Sequence, residues 1–371
     1  MNVEELTKEL LKFNTINPPG DEEECIRYIG KLYEKNDFEV NYHKLSDKRY
    51  SLVVRKGHSN TKKPLCLTGH IDTVPLGSQV WTKDPFNGET DSGKLYGRGS
   101  SDMKAGIASI IDASLSVPIK EKSPGLEIVI TAGEEIGCEG AFDLVKKSGA
   151  LKKAGAVVVA EPTSNYPFVG HKGALWLKIK VNGITAHGSM PEKGINAIYK
   201  ISEIIEKIKT YTFNCKTHSL MGNPSLNLGT INGGLNINSV PDNAEITLDI
   251  RSVPTSAHEE IISSLKKLLG NEVEFETLLD VESVCSEPSN VWIQKTLDIV
   301  RPYLGFRPDV KTATYFTDAS ALKIAYDNPP IIILGPGESA MAHKTDEYCL
   351  IDKIPESSSI LKDIINNWNN G

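Results

Sequence analysis

What the chain has little of narrows its class first. Its 371 residues include only six cysteines (Cys25, Cys66, Cys138, Cys215, Cys285 and Cys349), scattered and without a Cys-x-x-Cys pair. That spacing argues against a thiolate zinc site and predicts free thiols in a reducing compartment. No apolar run is long enough to span a bilayer, and Met1-Asn2-Val3-Glu4-Glu5-Leu6 begins at once as a helix pattern rather than a basic, apolar leader. The expectation is a cytoplasmic chain with no membrane partner. Lys/Arg blocks are missing and the net charge is -7, so no basic face is on offer to phosphates and a nucleic-acid partner is excluded. Internal repeats are absent, and only the polar C-terminal tail is expected to fray.

What is present is ordinary globular material, 39% hydrophobic and 24% charged, in a chain longer than one core usually supports. Two domains are expected. Apolar residues at helical spacing predict helices over 3–13 and 21–36, split by the turn Asn17-Pro18-Pro19-Gly20, with Asp21 as N-cap of the second. Strands are predicted at 38–42, 51–54, 64–67, 126–131 and 156–160, with helices at 103–117 and 141–147 between them. Such alternation implies a mixed-sheet α/β domain with helices on both faces, in which ligands sit beyond the strand carboxyl ends. From 174 to 285 the order changes to β-α-β-β-α-β, a ferredoxin-like α+β arrangement. Residues 174–285 therefore read as a domain inserted into a discontinuous one, 1–173 and 286–371, which closes with a helix at 289–303, a strand at 331–334 and a helix at 353–369.

Acids and imidazoles recur just after the predicted strands. Leu65-Cys66-Leu67 leads to Gly69-His70-Ile71-Asp72, where residues two apart share a face, so the His70 ring can bind a cation while Asp72 fixes or polarises it. The strand at 126–131 leads to Gly133-Glu134-Glu135, that at 156–160 to Glu161-Pro162, and that at 331–334 through Gly335-Pro336-Gly337 to His343. Two adjacent carboxylates in low dielectric cannot both ionise freely unless a cation joins them or one keeps a proton. The economical division makes one a metal ligand and the other a general base toward water. Asp102, in Gly97-Arg98-Gly99-Ser100-Ser101-Asp102-Met103-Lys104, reads either as an N-cap or as an acid on a tightly threaded loop. Together His70, Asp102, Glu135, Glu161 and His343 suit two zinc-like ions sharing one carboxylate, with cobalt or manganese able to substitute.

These motifs, Gly69 to Pro75, Gly97 to Gly106, Gly133-Glu134-Glu135, Ala160-Glu161-Pro162 and the late His343, resemble over nearly the whole chain the M20-type metallopeptidase/deacylase family of acetylornithine deacetylase, succinyl-diaminopimelate desuccinylase, aminoacylase-1 and glutamate carboxypeptidase. The resemblance implies that His70 and Glu161 hold one ion, Glu135 and His343 the other, and that Asp102 bridges them. It further implies Asp72 behind His70, Glu134 as general base, a cis peptide at Asp102–Met103, and an inserted lid or dimerisation domain. His187, in Ala186-His187-Gly188-Ser189, would reach a substrate carbonyl oxygen, in many dimers from the neighbouring subunit. Arg251 would grip a substrate carboxylate, helped by Asn236 or Asn238; its plain alternative is a salt bridge to Asp249. Tyr315 to Ser320 departs from the Gly-Thr-Ser-Asp type of the desuccinylase branch. The expected function is hydrolysis of the amide bond of N-acyl amino acids by a homodimer. An exopeptidase acting on short peptides is the near alternative, and a non-catalytic ligand-binding relative the distant one.

Overall fold

The computed structural model describes residues 1–57, 59, 61–120 and 122–370. They form two compact units, Met1–Gly170 with Cys285–Thr312 and Thr317–Gly371, and His171–Val284 with Ala313–Phe316.

The larger unit is built on a mixed sheet. Its strands run side by side in the order Glu39–Ser46, Arg49–Lys56, Leu126–Thr131, Leu65–His70, Ala156–Val159 and Ile331–Ile333. The first two form an antiparallel pair, and Arg49–Lys56 meets Leu126–Thr131 antiparallel. From there the neighbours are parallel: Leu65–His70 with Leu126–Thr131, Leu65–His70 with Ala156–Val159, and Ala156–Val159 with Ile331–Ile333. Parallel pairing puts their carboxyl ends on one edge of the sheet. Both faces are covered, and every residue of Leu65–His70 and of Leu126–Thr131 is buried, Glu127 among them through its pair with Arg55 at 2.6 Å. Helices Val3–Leu11, Ala105–Ser116 and Lys353–Asn370 pack together on one side. Their core includes Leu10, Ile107, Ile110, Ile111, Leu361 and Ile364.

Two local expectations are corrected. Asp21 does not cap the helix Glu23–Glu34; it pairs with Lys48 at 3.2 Å, while the preceding residue Glu22 is pulled inward by Arg49 at 2.9 Å. A buried bidentate partner outweighs a cap worth about 1 kcal/mol. The C-terminal tail does not fray, since helix Lys353–Asn370 continues through the buried Trp368. Of the two readings left open for Asp102, the N-cap is not the one adopted: the helix begins at Ala105 with Lys104 at its N-cap position.

The smaller unit is a four-stranded antiparallel sheet in the order Ser225–Gly233, Asn243–Ser252, Gly173–Asn182, Val273–Val281. Strand Gly173–Asn182 alternates, sending Leu175, Leu177, Ile179 and Val181 into a core completed by Ile201, Ile204, Ile246, Ile261 and Leu265. Helices Ala197–Lys209 and His258–Leu269 supply the other half of that core. Ser225–Gly233 forms one edge of this sheet and is largely exposed.

A close backbone approach ties the helix after Asp102 to a strand end. A Cβ placed on Gly106 would lie 2.1 Å from the Ala160 carbonyl oxygen. Glycine inside a helix normally costs about 0.5–1 kcal/mol relative to alanine, so Gly106→Ala on an exposed helix would stabilise. Here it should lower stability by roughly 1–3 kcal/mol through overpacking, read as a reduced denaturation midpoint; a more stable variant would refute this packing account.

Candidate metal centre

Each strand end delivers one part of a single cluster within the larger unit. His70 closes its strand, and its Nδ1–H donates to the Asp72 main-chain carbonyl at 2.9 Å. With the proton placed there, a neutral imidazole turns the lone pair of Nε2 toward the cluster. Nε2 lies 3.1 Å from Asp102 Oδ1, 3.8 Å from Glu161 Oε1 and 4.0 Å from Glu134 Oε2. His343 faces the other side, with Nε2 at 3.4 Å from Asp102 Oδ2 and 3.0 Å from Glu135 Oε2. Asp102 thus divides its two oxygens between two groups, His70–Asp102–Glu161 and Asp102–Glu135–His343. Within each, the donor atoms lie within 4.8 Å of one another.

The donors are imidazole and carboxylate, a set suited to zinc, cobalt or manganese. Glu135 Oε1 is buried without a hydrogen-bond partner, as a free coordination position would be. The residues present therefore fit a pair of divalent ions. A third group, His258 with Asp280 and Glu282 in the smaller unit, meets the same distance criterion. Its histidine is already engaged at both nitrogens, by Asp280 at 2.6 Å and Ser252 at 2.6 Å.

Residues behind the cluster hold it in shape. The Asp72 carboxylate is 3.5 Å from His70 Nδ1 and is used chiefly elsewhere. It accepts from the backbone N–H groups of Glu134 at 3.1 Å and Glu135 at 3.3 Å, and from Asn17 Nδ2 at 2.9 Å. The link between Asp72 and His70 therefore runs mainly through the main chain. Glu347 holds the loop before Asp102. Its carboxylate accepts from Arg98 Nη1 at 2.6 Å, and from the amides of Gly99 at 3.0 Å, Ser101 at 2.8 Å and Asp102 at 2.9 Å. Asp318, buried, accepts from the Thr131 hydroxyl. The sequence patterns that expose His70 or Glu161 say nothing of Glu347, Asn17 or the Asp318 carboxylate, whose partners lie far away along the chain.

So many acids in one buried place shift one another. Burial raises the Glu134 carboxyl well above its ordinary value, His70 only partly offsetting it, while Glu161, Glu135 and Asp318 push it further. Burial likewise lifts Glu161, and brings Glu135 up to about 7 with Asp102 adding to it. Burial opposes ionisation of Asp102 too, but hydrogen bonds from His343 and His70 outweigh it and hold that carboxyl well below the usual range. His343 is pushed up to about 10 by its hydrogen bonds to Asp102 and Glu135. Burial works against the His70 imidazolium, yet Glu161, Asp102 and Asp72 carry it well above its ordinary value.

The remaining expected residues lie in the smaller unit. His187 is exposed and bridges in sheet fashion to Ser239, and the following Gly188 N–H donates to the Asn238 carbonyl at 2.8 Å. Asn236 and Asn238 are both exposed. His187 Nδ1 accepts from the Ser189 amide at 3.2 Å, which leaves the ring proton on Nε2. Arg251 binds Asp249 through Nε at 2.9 Å and Nη2 at 3.1 Å, and Trp176 Nε1 donates to the same carboxylate at 2.9 Å.

Comparison with known proteins agrees with this geometry. Residues 66–367 match Peptidase family M20/M25/M40. The chain belongs to this family. It is therefore a hydrolase of the metallopeptidase and amidohydrolase type. A probable succinyl-diaminopimelate desuccinylase of Staphylococcus aureus is 32% identical, covering 96% of each chain. An acetylornithine deacetylase of Proteus mirabilis is 30% identical over 93% of this chain and 90% of its own. An M20 family metallo-carboxypeptidase from Sulfolobus solfataricus shares the fold at TM-score 0.82 with 18% identity, covering 100% of both chains. The Asp102–Met103 peptide is cis, as the family resemblance implies. Among the described residues no helix is long and apolar enough to cross a membrane.

Two outcomes follow. Without ions His70 and His343 favour their protonated forms, and burial favours the neutral forms of Glu135 and Glu161; a cation needs these groups deprotonated, so loading should release protons and metal affinity should fall as pH falls. Calorimetric titrations of zinc in buffers of different ionisation enthalpy measure that release; a buffer-independent heat would contradict it. Glu347→Ala strands the buried Arg98 and frees three loop amides, and should cost about 3–5 kcal/mol with loss of bound metal. An unchanged melting temperature and full metal content would show that the loop does not depend on Glu347.

Proposed function

We propose that this protein hydrolyses the amide bond of N-acyl amino acids with the help of two divalent ions, zinc by donor type. The observation that carries the reading is Asp102, whose two oxygens face separate imidazole–carboxylate groups, with Glu134 Oε2 beside the first. His70 and Glu161 would hold one ion, Glu135 and His343 the other, and Asp102 both. Such ions, when bound, polarise the scissile carbonyl and ease deprotonation of water. Glu134 takes the proton of the attacking water on Oε2 and returns it to the departing nitrogen. Asp72 holds the Glu134 and Glu135 amides in register with His70.

His187 offers its Nε2–H to the developing oxyanion, supplied from a neighbouring subunit. Arg251 keeps donors beyond those used by Asp249 and selects a free carboxylate, with Asn236 and Asn238 on the adjoining loop. Edge strand Ser225–Gly233 and the exposed Ile231, Leu235 and Ile237 support a homodimer formed through the smaller unit. Six free thiols suit a cytoplasmic setting. The relatives' names favour deacylation or desuccinylation despite the altered segment at 315–320. The carboxypeptidase that shares the fold keeps exopeptidase activity as the second reading.

Assaying acetylornithine, succinyl-diaminopimelate and simple dipeptides side by side with the metal-loaded protein separates the two readings, since only the favoured class should turn over efficiently. Glu134→Ala should keep both ions while lowering kcat by at least about 100-fold, the scale of general acid–base catalysis. Full activity in that variant would remove Glu134 from the mechanism.

A further inference from the structure

Cys138 is a residue for which neither the ion-binding groups nor the helix it precedes has an evident use. It is fully buried, and at φ 59°, ψ 32° it occupies the left-handed region that glycine adopts without strain. It stands at the N-cap of helix Glu139–Lys146, yet its side chain caps none of that helix's amides. Its thiol instead points to Glu134 Oε1 at 4.0 Å, within reach of a sulfur donor, and feels the charge of the buried Asp318 carboxylate. Asp318 in turn is held by the Thr131 hydroxyl, on the strand that leads to Glu134. The two oxygens of Glu134 thus have different surroundings, Oε1 against the thiol and Oε2 facing His70 at 4.0 Å.

We infer that Cys138 is a positioning residue for Glu134: its S–H, set between Glu134 Oε1 and the Asp318 carboxylate, restrains the rear oxygen so that Oε2 faces the reacting water. The inference rests on Glu134 being the general base. A small apolar residue would fill the same space, so packing alone does not call for a thiol at a backbone position that disfavours a side chain.

Cys138→Gly suits the left-handed backbone and deletes the donor; Cys138→Ser keeps a donor. Steady-state kinetics on the metal-loaded variants should show kcat of Cys138→Gly falling about tenfold with KM within about twofold, and Cys138→Ser retaining at least about half of kcat. Added to Glu134→Gln, Cys138→Gly should lower kcat no further, because the base it orients is gone. Cys138→Ala repeats the test with the backbone restraint retained and should lose kcat as the glycine variant does. The inference is overturned if Cys138→Gly and Cys138→Ala keep kcat within about twofold, if serine fails as badly as they do, or if the loss persists undiminished in the Glu134→Gln background. A fully active Glu134→Gln enzyme is a separate result: it would sink the assignment of the base, whatever the cysteine variants show.

Discussion

A buried carboxylate with all of its hydrogen-bonding capacity in use underlies the rest of the site. Glu347 takes one hydrogen bond from Arg98 and three from the loop amides of Gly99, Ser101 and Asp102. Burial alone would favour its neutral form, and Arg98 with the loop amides opposes that. A loop wrapped this closely around one acid has little room to be anything else. Gly99, at φ 88°, follows the path, and a Cβ there would lie 2.8 Å from Thr73 Cγ2. The orientation of Asp102 is a product of this wrapping, and both halves of the metal centre share Asp102.

A second support works from the opposite side. Thr15 to Asn17 lies along residues 71–73, with Thr73 N–H donating to the Thr15 carbonyl at 3.0 Å and Asn17 N–H to the Thr73 carbonyl at 2.8 Å. Asn17 then reaches Asp72, and Asp72 reaches the amides of Glu134 and Glu135. The loop carrying Glu134 and the His70 turn, 64 positions apart at Glu134 and His70, are thereby tied through one carboxylate. Acids crowded this densely in a dry place repel one another, and only cations or protons relieve them.

Much of this arrangement was legible in the sequence. Parallel strands that are apolar along their length announce themselves, and a histidine or acid directly after such a run is on the correct edge by construction, as with His70, Glu134, Glu135 and Glu161. What escaped is whatever depends on partners remote in the chain. Glu347 looks like a loop acid until its 245-residue separation from the Asp102 amide is closed in space. Asp21 offers better capping chemistry than Glu22, and only the fold reveals Arg49 behind the latter. Strands Thr90–Asp91, Lys94–Tyr96 and Tyr348–Leu350 are too short to display a period of two. Helix Ala319–Ala325 has seven residues, fewer than periodicity can identify. Arg251 showed the limit from the other direction: its plain alternative, the pairing with Asp249, is the contact present.

The parallel strands that carry the ligands are recruited from distant parts of the chain, ending at His70, Thr131, Val159 and Ile333. His343 and Glu347 come later still along the chain. A nascent chain that has already displayed His70, Asp102, Glu135 and Glu161 therefore lacks one imidazole and the anchor of the bridging loop. Vectorial synthesis thus delays assembly of this cluster until the stretch around His343 and Glu347 has emerged, and a product terminated before that stretch would be born without it.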